Sequence, residues 1–163
     1  MPTSTSKYQY IACDPEKCVG CQICEYICSQ TKTGEFNTFR SRIRTVRAHK
    51  VLITAVACRT CEDAPCVIAC PRDALSQDPA TGIIHIDANR CDGCAWCIEA
   101  CDFGAISLNP ATKLAEICNQ CEDLEDGPQC VKWCPKEALE LTTPDRRAQR
   151  SRRKLAIEEV IGT

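Results

Sequence analysis

Apolar and polar positions along the chain fall into a short phrase that recurs. It reads "PRDALSQDPATGIIHID" at 71–87, "DFGAISLNPATKLAEIC" at 102–118 and, cut short, "PKEALEL" at 135–141. Each phrase predicts a short helical turn followed by a strand, and the first two add a turn (DPATG, NPATK) and a returning strand. Alternation over Ile84, His85, Ile86 and Asp87 suits an edge strand with one buried face. Upstream, "YQYIACD" (8–14) also reads as a strand. In "TFRSRIRTVRAHK" (38–50), Arg40, Arg42, Arg44 and Arg47 alternate with Ile43 and Val46, which predicts a solvated strand face. At the far end, "TPDRRAQRSRRKLAIEEVIGT" (143–163) predicts a helix opened by Pro144 and Asp145, with an apolar tip of Leu155, Ile157, Val160 and Ile161. That helix is too short to fold alone and should dock on something. The repeated unit is also too small to close a core by itself, so its copies must pair.

Composition shows what would sit at the centre. Among 163 residues there are 17 cysteines, while aromatic residues make up only 5%. The large side chains that usually dominate a core are scarce, and metal–thiolate bonds are the staples available. Disulfides fit poorly: the cysteine count is odd, most cysteines fall in C-x2-C runs, and "MPTSTSKYQY" carries no apolar leader. A reducing, cytoplasmic setting is expected. No apolar run approaches the length needed to cross a bilayer, so no direct membrane insertion is expected. The net charge of −2 points to neither nucleic acid nor membrane. The basic stretch at 38–50 lacks the interleaved aromatic residues of a nucleic-acid surface. Its other reading is compensation of buried negative charge or docking of a partner.

The cysteines form four groups. Cys18, Cys21, Cys24 and Cys28 are spaced C-x2-C-x2-C-x3-C, and Cys91, Cys94, Cys97 and Cys101 repeat that spacing. Cys58, Cys61, Cys66 and Cys70 follow C-x2-C-x4-C-x3-C, and Cys118, Cys121, Cys130 and Cys134 follow C-x2-C-x8-C-x3-C. Three cysteines two residues apart wrap a tight loop around three corners of an iron–sulfur cube. The fourth starts a short helix pointing away and reaches the other cluster of a pair. Zinc is the rival reading of C-x2-C pairs, but a zinc site has no use for a middle cysteine. The second and fourth groups alone leave both readings open. Their shared C-x3-C-P ending, through Pro71 and Pro135, turns them towards clusters.

With its "CP-x-x-A" phrases, its DPATG turn and its "CDGCAWC" run, the repeat resembles a bacterial two-cluster ferredoxin. From about residue 8 to 143 the chain resembles the four-cluster iron–sulfur subunits of the DMSO reductase type, whose relatives serve formate dehydrogenases, hydrogenases, carbon monoxide dehydrogenases and tungsten aldehyde oxidoreductases. "KCVGCQICE", "SRIR" and "CRTCEDAPCVIACP" carry the likeness most strongly. The resemblance implies an α+β fold of two ferredoxin-like lobes related by a pseudo-twofold repeat, with a C-terminal helical arm. An outer lobe (8–57 plus 118–143) and an inner lobe (58–117) would make up a domain over 1–143, and 144–163 would be a docking extension.

It also implies four 4Fe–4S clusters and their ligand sets: Cys18, Cys21, Cys24 with Cys134; Cys118, Cys121, Cys130 with Cys28; Cys58, Cys61, Cys66 with Cys101; and Cys91, Cys94, Cys97 with Cys70. Where the family has proline after the last cysteine, the first and third groups carry Ser29 and Asp102, leaving one more N–H donor near the cluster. Cys13 is left over and reads as a small buried hydrophobe, with ligand exchange or a redox role as the other reading. His49 and His85 read as structural or surface residues, while Trp96 and Trp133, between cluster ligands, are expected to pack over the clusters and exclude water.

The implied function is single-electron relay between a large catalytic oxidoreductase subunit and another redox partner, without catalysis by this chain. A molybdenum or tungsten pterin aldehyde or formate enzyme is the favoured partner. A nickel carbon monoxide dehydrogenase or hydrogenase, and a free-standing polyferredoxin, are the alternatives. No phosphate-cradling glycine loop is present, so a flavin or nicotinamide would sit on another subunit. Two surface features are expected to serve partners: the arm, in self-association or subunit docking, and the acidic insertion "EDLEDGPQ" (122–129), as a bulge beside the outer lobe.

Overall fold

The computed structural model describes residues 7–48 and 52–161; His49 lies outside them. Strand β1 (Tyr10–Cys13) leads through the first cysteine run into helix α1 (Ile23–Thr33) and a short 3-10 turn at Thr38–Arg40. A hairpin of β2 (Arg44–Ala48) and β3 (Leu52–Val56) follows. The next two cysteine runs each end in a one-turn helix and a hairpin. These are α2 (Pro65–Ile68) with β4 (Leu75–Gln77) and β5 (Ile84–Ile86), then α3 (Trp96–Glu99) with β6 (Ile106–Leu108) and β7 (Ala115–Ile117). The last run gives α4 (Gln129–Lys132) and β8 (Leu139–Thr142), and α5 (Pro144–Ile161) closes the chain. The turn–strand–turn–strand phrase is therefore present where the residue pattern predicts it.

Sheets are two-stranded and antiparallel throughout. β4 pairs β5 with Leu75 opposite Ile86, and β6 pairs β7 with Ile106 opposite Ile117. β1 pairs β8, the truncated third copy, with Cys13 opposite Leu139 and Tyr10 opposite Thr142. Two strands far apart in sequence thus form one antiparallel ladder.

Such small sheets cannot stand alone, and two apolar cores hold them. One gathers Ile11, Ile43, Ala55, Ala57 and Leu139 with Cys13, Cys24, Cys28, Cys118 and Cys130. The other gathers Ala64, Leu75, Ile84, Ile106 and Ile117 with Cys66 and Cys97. Cysteine thus fills places that Leu or Phe would fill elsewhere. Cys13 is one such residue, 5% exposed in the first core.

α1 runs eleven residues against four for α2, α3 and α4. α1 continues through Cys28 and Ser29, whereas α2, α3 and α4 each end two residues before the last cysteine of their run, α3 doing so although Asp102 rather than proline follows Cys101. Ser29 keeps its N–H and continues the helix. Wholly buried, it donates from Oγ to Tyr26 O (2.9 Å) and accepts from Asn37 N (3.1 Å), which folds the next segment back onto α1.

The basic segment departs from a simple solvated strand. Arg40 lies in the 3-10 turn, and its guanidinium reaches Glu116 Oε1 of β7 at 3.6 Å in a largely buried pair. Arg44 donates back to Thr38 O and Phe39 O. Ile43 is buried as expected, but Val46 is exposed on β2 beside Arg47. Period-two alternation fails here because the strand starts only at Arg44, after a turn that resets the phase.

α5 lies against the first core by polar contacts. Arg147 Nη2 donates to Cys13 O (2.9 Å), Lys154 pairs with Glu16 (2.6 Å), and Arg150 pairs with Glu140. Its apolar residues Leu155, Ile157 and Val160 are exposed. No helix of the described residues is long and apolar enough to cross a membrane.

Candidate metal centres

Each C-x2-C loop turns by the same device. The residue just before the second cysteine has positive φ in all four: Gly20 (67°), Thr60 (47°), Gly93 (73°) and Gln120 (55°). A left-handed residue there rotates successive N–H groups towards the inside of the loop, making the concave donor arrangement that suits an anion. Glycine meets this geometry without strain. At Gly93 it also makes room, since a Cβ would lie 2.4 Å from Lys113 O.

The structure gathers twelve of the cysteines in three sets of four. Cys18, Cys21, Cys24 and Cys134 line one cavity. Cys91, Cys94, Cys97 and Cys70 line a second, and Cys58, Cys61, Cys66 and Cys101 a third. Cys118, Cys121, Cys130 and Cys28 lie near enough that charge on the others would further raise the thiols of Cys118 and Cys130. All seventeen cysteines are free. Among the described residues no group of three or more His, Cys, Asp or Glu is arranged to hold a single metal ion. Sulfurs standing around a cavity suit a polynuclear group better than one tetrahedral zinc ion, whose sulfurs must each come within about 2.3 Å of the metal.

Burial acts on these sulfurs in a consistent direction. It pushes the Cys24, Cys66 and Cys118 thiols up to about 12 and that of Cys58 to about 11, and it raises Cys130 as well. Buried thiols of this kind do not ionise unaided near neutral pH. A cationic metal centre would take the place of their protons and release them. The donor set therefore fits a thiolate-ligated cluster.

Backbone amides are aimed at the last cysteine of each run. Ala74 N donates to Cys70 Sγ (3.3 Å), Ala105 N to Cys101 Sγ (3.4 Å) and Ala138 N to Cys134 Sγ (3.3 Å). The three alanines are buried and occupy the same place in the repeated phrase. Cys28, on the longer α1, receives its bond from Arg42 N instead (3.3 Å). N–H···S bonds tune the potential of iron–sulfur centres. Residue chemistry gave no hint of these alanines, since the donor is backbone; the recurrence of alanine four places after the cysteine was the available signal.

Trp96 and Trp133 do not cover the cavities. They are 62% and 58% exposed, at the ends of α3 and α4. Cys97, next to Trp96 on α3, and Cys134, just beyond α4, line the cavities while the two rings face solvent. His85 lies at the surface, with Nδ1 3.5 Å from Glu122 Oε1. The acidic insertion is exposed at Glu122, Asp123, Glu125 and Asp126, and it is pinned by Lys32–Asp123 and by Lys132–Asp126 (2.6 Å).

Residues 49–143 match the 4Fe-4S dicluster domain. The electron transport protein HydN of Escherichia coli K12 is 34% identical over 153 residues, covering 80% of this chain and 86% of that protein. The thiosulfate reductase electron transfer subunit PhsB of Salmonella typhi is 37% identical over 144 residues, covering 80% and 74%. Among solved structures, the active site complex BamBC of benzoyl coenzyme A reductase contains a chain that aligns with a TM-score of 0.50 at 26% identity, over 82% of this chain and 78% of that one.

Proposed function

The chain belongs to the 4Fe-4S dicluster domain family and is an iron–sulfur electron-transfer protein, and from that premise we propose that it carries four 4Fe–4S clusters and relays single electrons within an oxidoreductase complex. Three sets of four cysteines around cavities, with Cys118, Cys28 and Cys121 close enough to act on Cys130, support this count. The family match alone covers only the last three cysteine runs, because Cys18, Cys21, Cys24 and Cys28 precede it.

Cys18, Cys21, Cys24 and Cys134 would hold one cluster, and Cys118, Cys121, Cys130 and Cys28 its neighbour in the outer lobe (8–57 plus 118–143). Cys58, Cys61, Cys66 and Cys101, with Cys91, Cys94, Cys97 and Cys70, would hold the pair in the inner lobe (58–117). We take the lobes as related by a pseudo-twofold repeat. Such clusters, when bound, supply reversible one-electron chemistry. The chain's own part is to ligate every iron through sulfur, to donate amide hydrogen bonds from Ala74, Ala105, Ala138 and Arg42, and to keep water from the buried sulfurs.

The partner proposed is a larger catalytic subunit, of the molybdenum or tungsten pterin kind, in the cytoplasm. PhsB, named as the electron transfer subunit of a thiosulfate reductase, supports a place beside a larger catalytic subunit. α5, with its exposed Leu155, Ile157 and Val160, is the arm assigned to gripping it. Anaerobic purification followed by iron and acid-labile sulfide analysis tests the cluster count. About sixteen of each per chain is expected. A content near eight would reduce the chain to one cluster pair, and zinc without sulfide would end the proposal.

A further inference from the structure

Two of the four cysteine loops meet at a single backbone atom. Gln9, just before β1, presents its carbonyl oxygen to Gln120 Nε2 at 2.6 Å and to Thr60 Oγ1 at 2.8 Å. The Thr60 hydroxyl also lies 2.7 Å from Arg59 O, so its one hydrogen is shared between two acceptors. Thr60 and Gln120 hold the same place in their loops, immediately before Cys61 and Cys121, and both have positive φ. One loop belongs to the first core and the other to the second. Cys58, at the head of the Thr60 loop, packs against both cores. Charge on Cys58 also bears on Cys118, so the two loop heads are neighbours.

The choice of residue at position 60 is informative. A β-branched side chain is strained at φ 47°, where the first and third loops use glycine. Thr60 is also wholly buried, so its hydroxyl needs a partner. Loop closure alone would favour glycine here, whereas a hydroxyl directed at Gln9 requires threonine or serine. Its neighbour Arg59 grips from the other side, with the guanidinium 4.6 Å from the Tyr10 ring centre and 5.2 Å from that of Phe103. Tyr10 lies on β1 and Phe103 follows Cys101, so this stack too spans the two halves.

We infer that the Gln9 carbonyl is a registration point: held by Thr60 and Gln120 together, it fixes the Cys58–Cys61 and Cys118–Cys121 loops against each other and so sets the gap across which an electron passes between the two cores. This rests on the four-cluster relay proposed above. The step served moves one electron from the group held by one loop to the group held by the other, with no bond made or broken and no proton moved. Thr60 and Gln120 are positioning residues, since they act through the loops that carry the ligands.

The test uses the full chain, loaded anaerobically, with the variants Thr60→Val, Thr60→Ser, Thr60→Gly and Gln120→Ala. Iron and sulfide content and the magnetic interaction between the reduced clusters held by the Cys58–Cys61 and Cys118–Cys121 loops, read by electron paramagnetic resonance apart from the interaction within each lobe, are measured on each. Iron and sulfide are expected to stay at the unsubstituted level in all four. The interaction is expected to persist in Thr60→Ser and to be lost in Thr60→Val, Thr60→Gly and Gln120→Ala. An unchanged interaction in Thr60→Val and Gln120→Ala at full iron overturns the registration role and leaves the relay standing. So does loss of iron in those variants, which would make the residues holders of a cluster. An unsubstituted chain that takes up no iron or sulfide would instead remove the relay itself, before any variant is compared.

Discussion

Single residues at the loop corners carry more than their size suggests. Gly93 combines a φ of 73° with a backbone oxygen, Lys113 O, where a Cβ would go. Gly93→Ala therefore meets backbone strain and a clash that no side-chain rotation relieves. The expected cost is about 1–3 kcal/mol, read as a lower Tm of the loaded protein, with the loss of iron confined to the set containing Cys91, Cys94, Cys97 and Cys70. The alanine amides on Cys70, Cys101 and Cys134 act at the same scale, and their hydrogen bonds survive most side-chain changes because the donor is backbone. Replacing any of those alanines by proline removes the donor.

At the scale of elements, only the first run carries its helix past its fourth cysteine. α2, α3 and α4 end two residues before Cys70, Cys101 and Cys134, while α1 passes Cys28 and Ser29 and continues to Thr33. Ser29→Pro is expected to break α1 and to strand the Ser29–Asn37 contact, at roughly 3 kcal/mol or more. Circular dichroism and thermal melting would show lost helix and a lowered transition. Much of this level was legible in the chain: D-P-A-T-G and N-P-A-T-K announce the hairpins, and the cysteine spacings announce the loops. The exposure of Trp96 and Trp133 was not, because a position between two ligands says which loop a ring belongs to and not which side it faces. Nor was the turn at Thr38–Arg40, since four arginines at near-even spacing read as strand until the Arg44 guanidinium is seen stapling the backbone behind it.

Across the whole molecule, the two cores are tied by a few polar contacts between residues far apart in sequence. Thr60 and Gln120 stand 51 and 111 positions from Gln9, and no local pattern brings them together. Arg40 and Glu116 form another tie, with Asn109 Nδ2 on the same carboxylate at 3.0 Å. Arg40→Ala leaves the Glu116 charge largely buried with fewer partners, and should destabilise the protein by about 1–3 kcal/mol. Arg40→Lys would keep the charge and recover part of that loss in the same denaturant titration. One last property follows from the placing of the two tryptophans, the only ones in the sequence, each beside a cavity-lining cysteine and open to solvent. They make the protein its own optical gauge: metal loading at Cys97 or Cys134 should quench their emission. A subunit settling over either ring should shift the residual emission to shorter wavelength, so assembly and cofactor content can both be followed in one unlabelled sample.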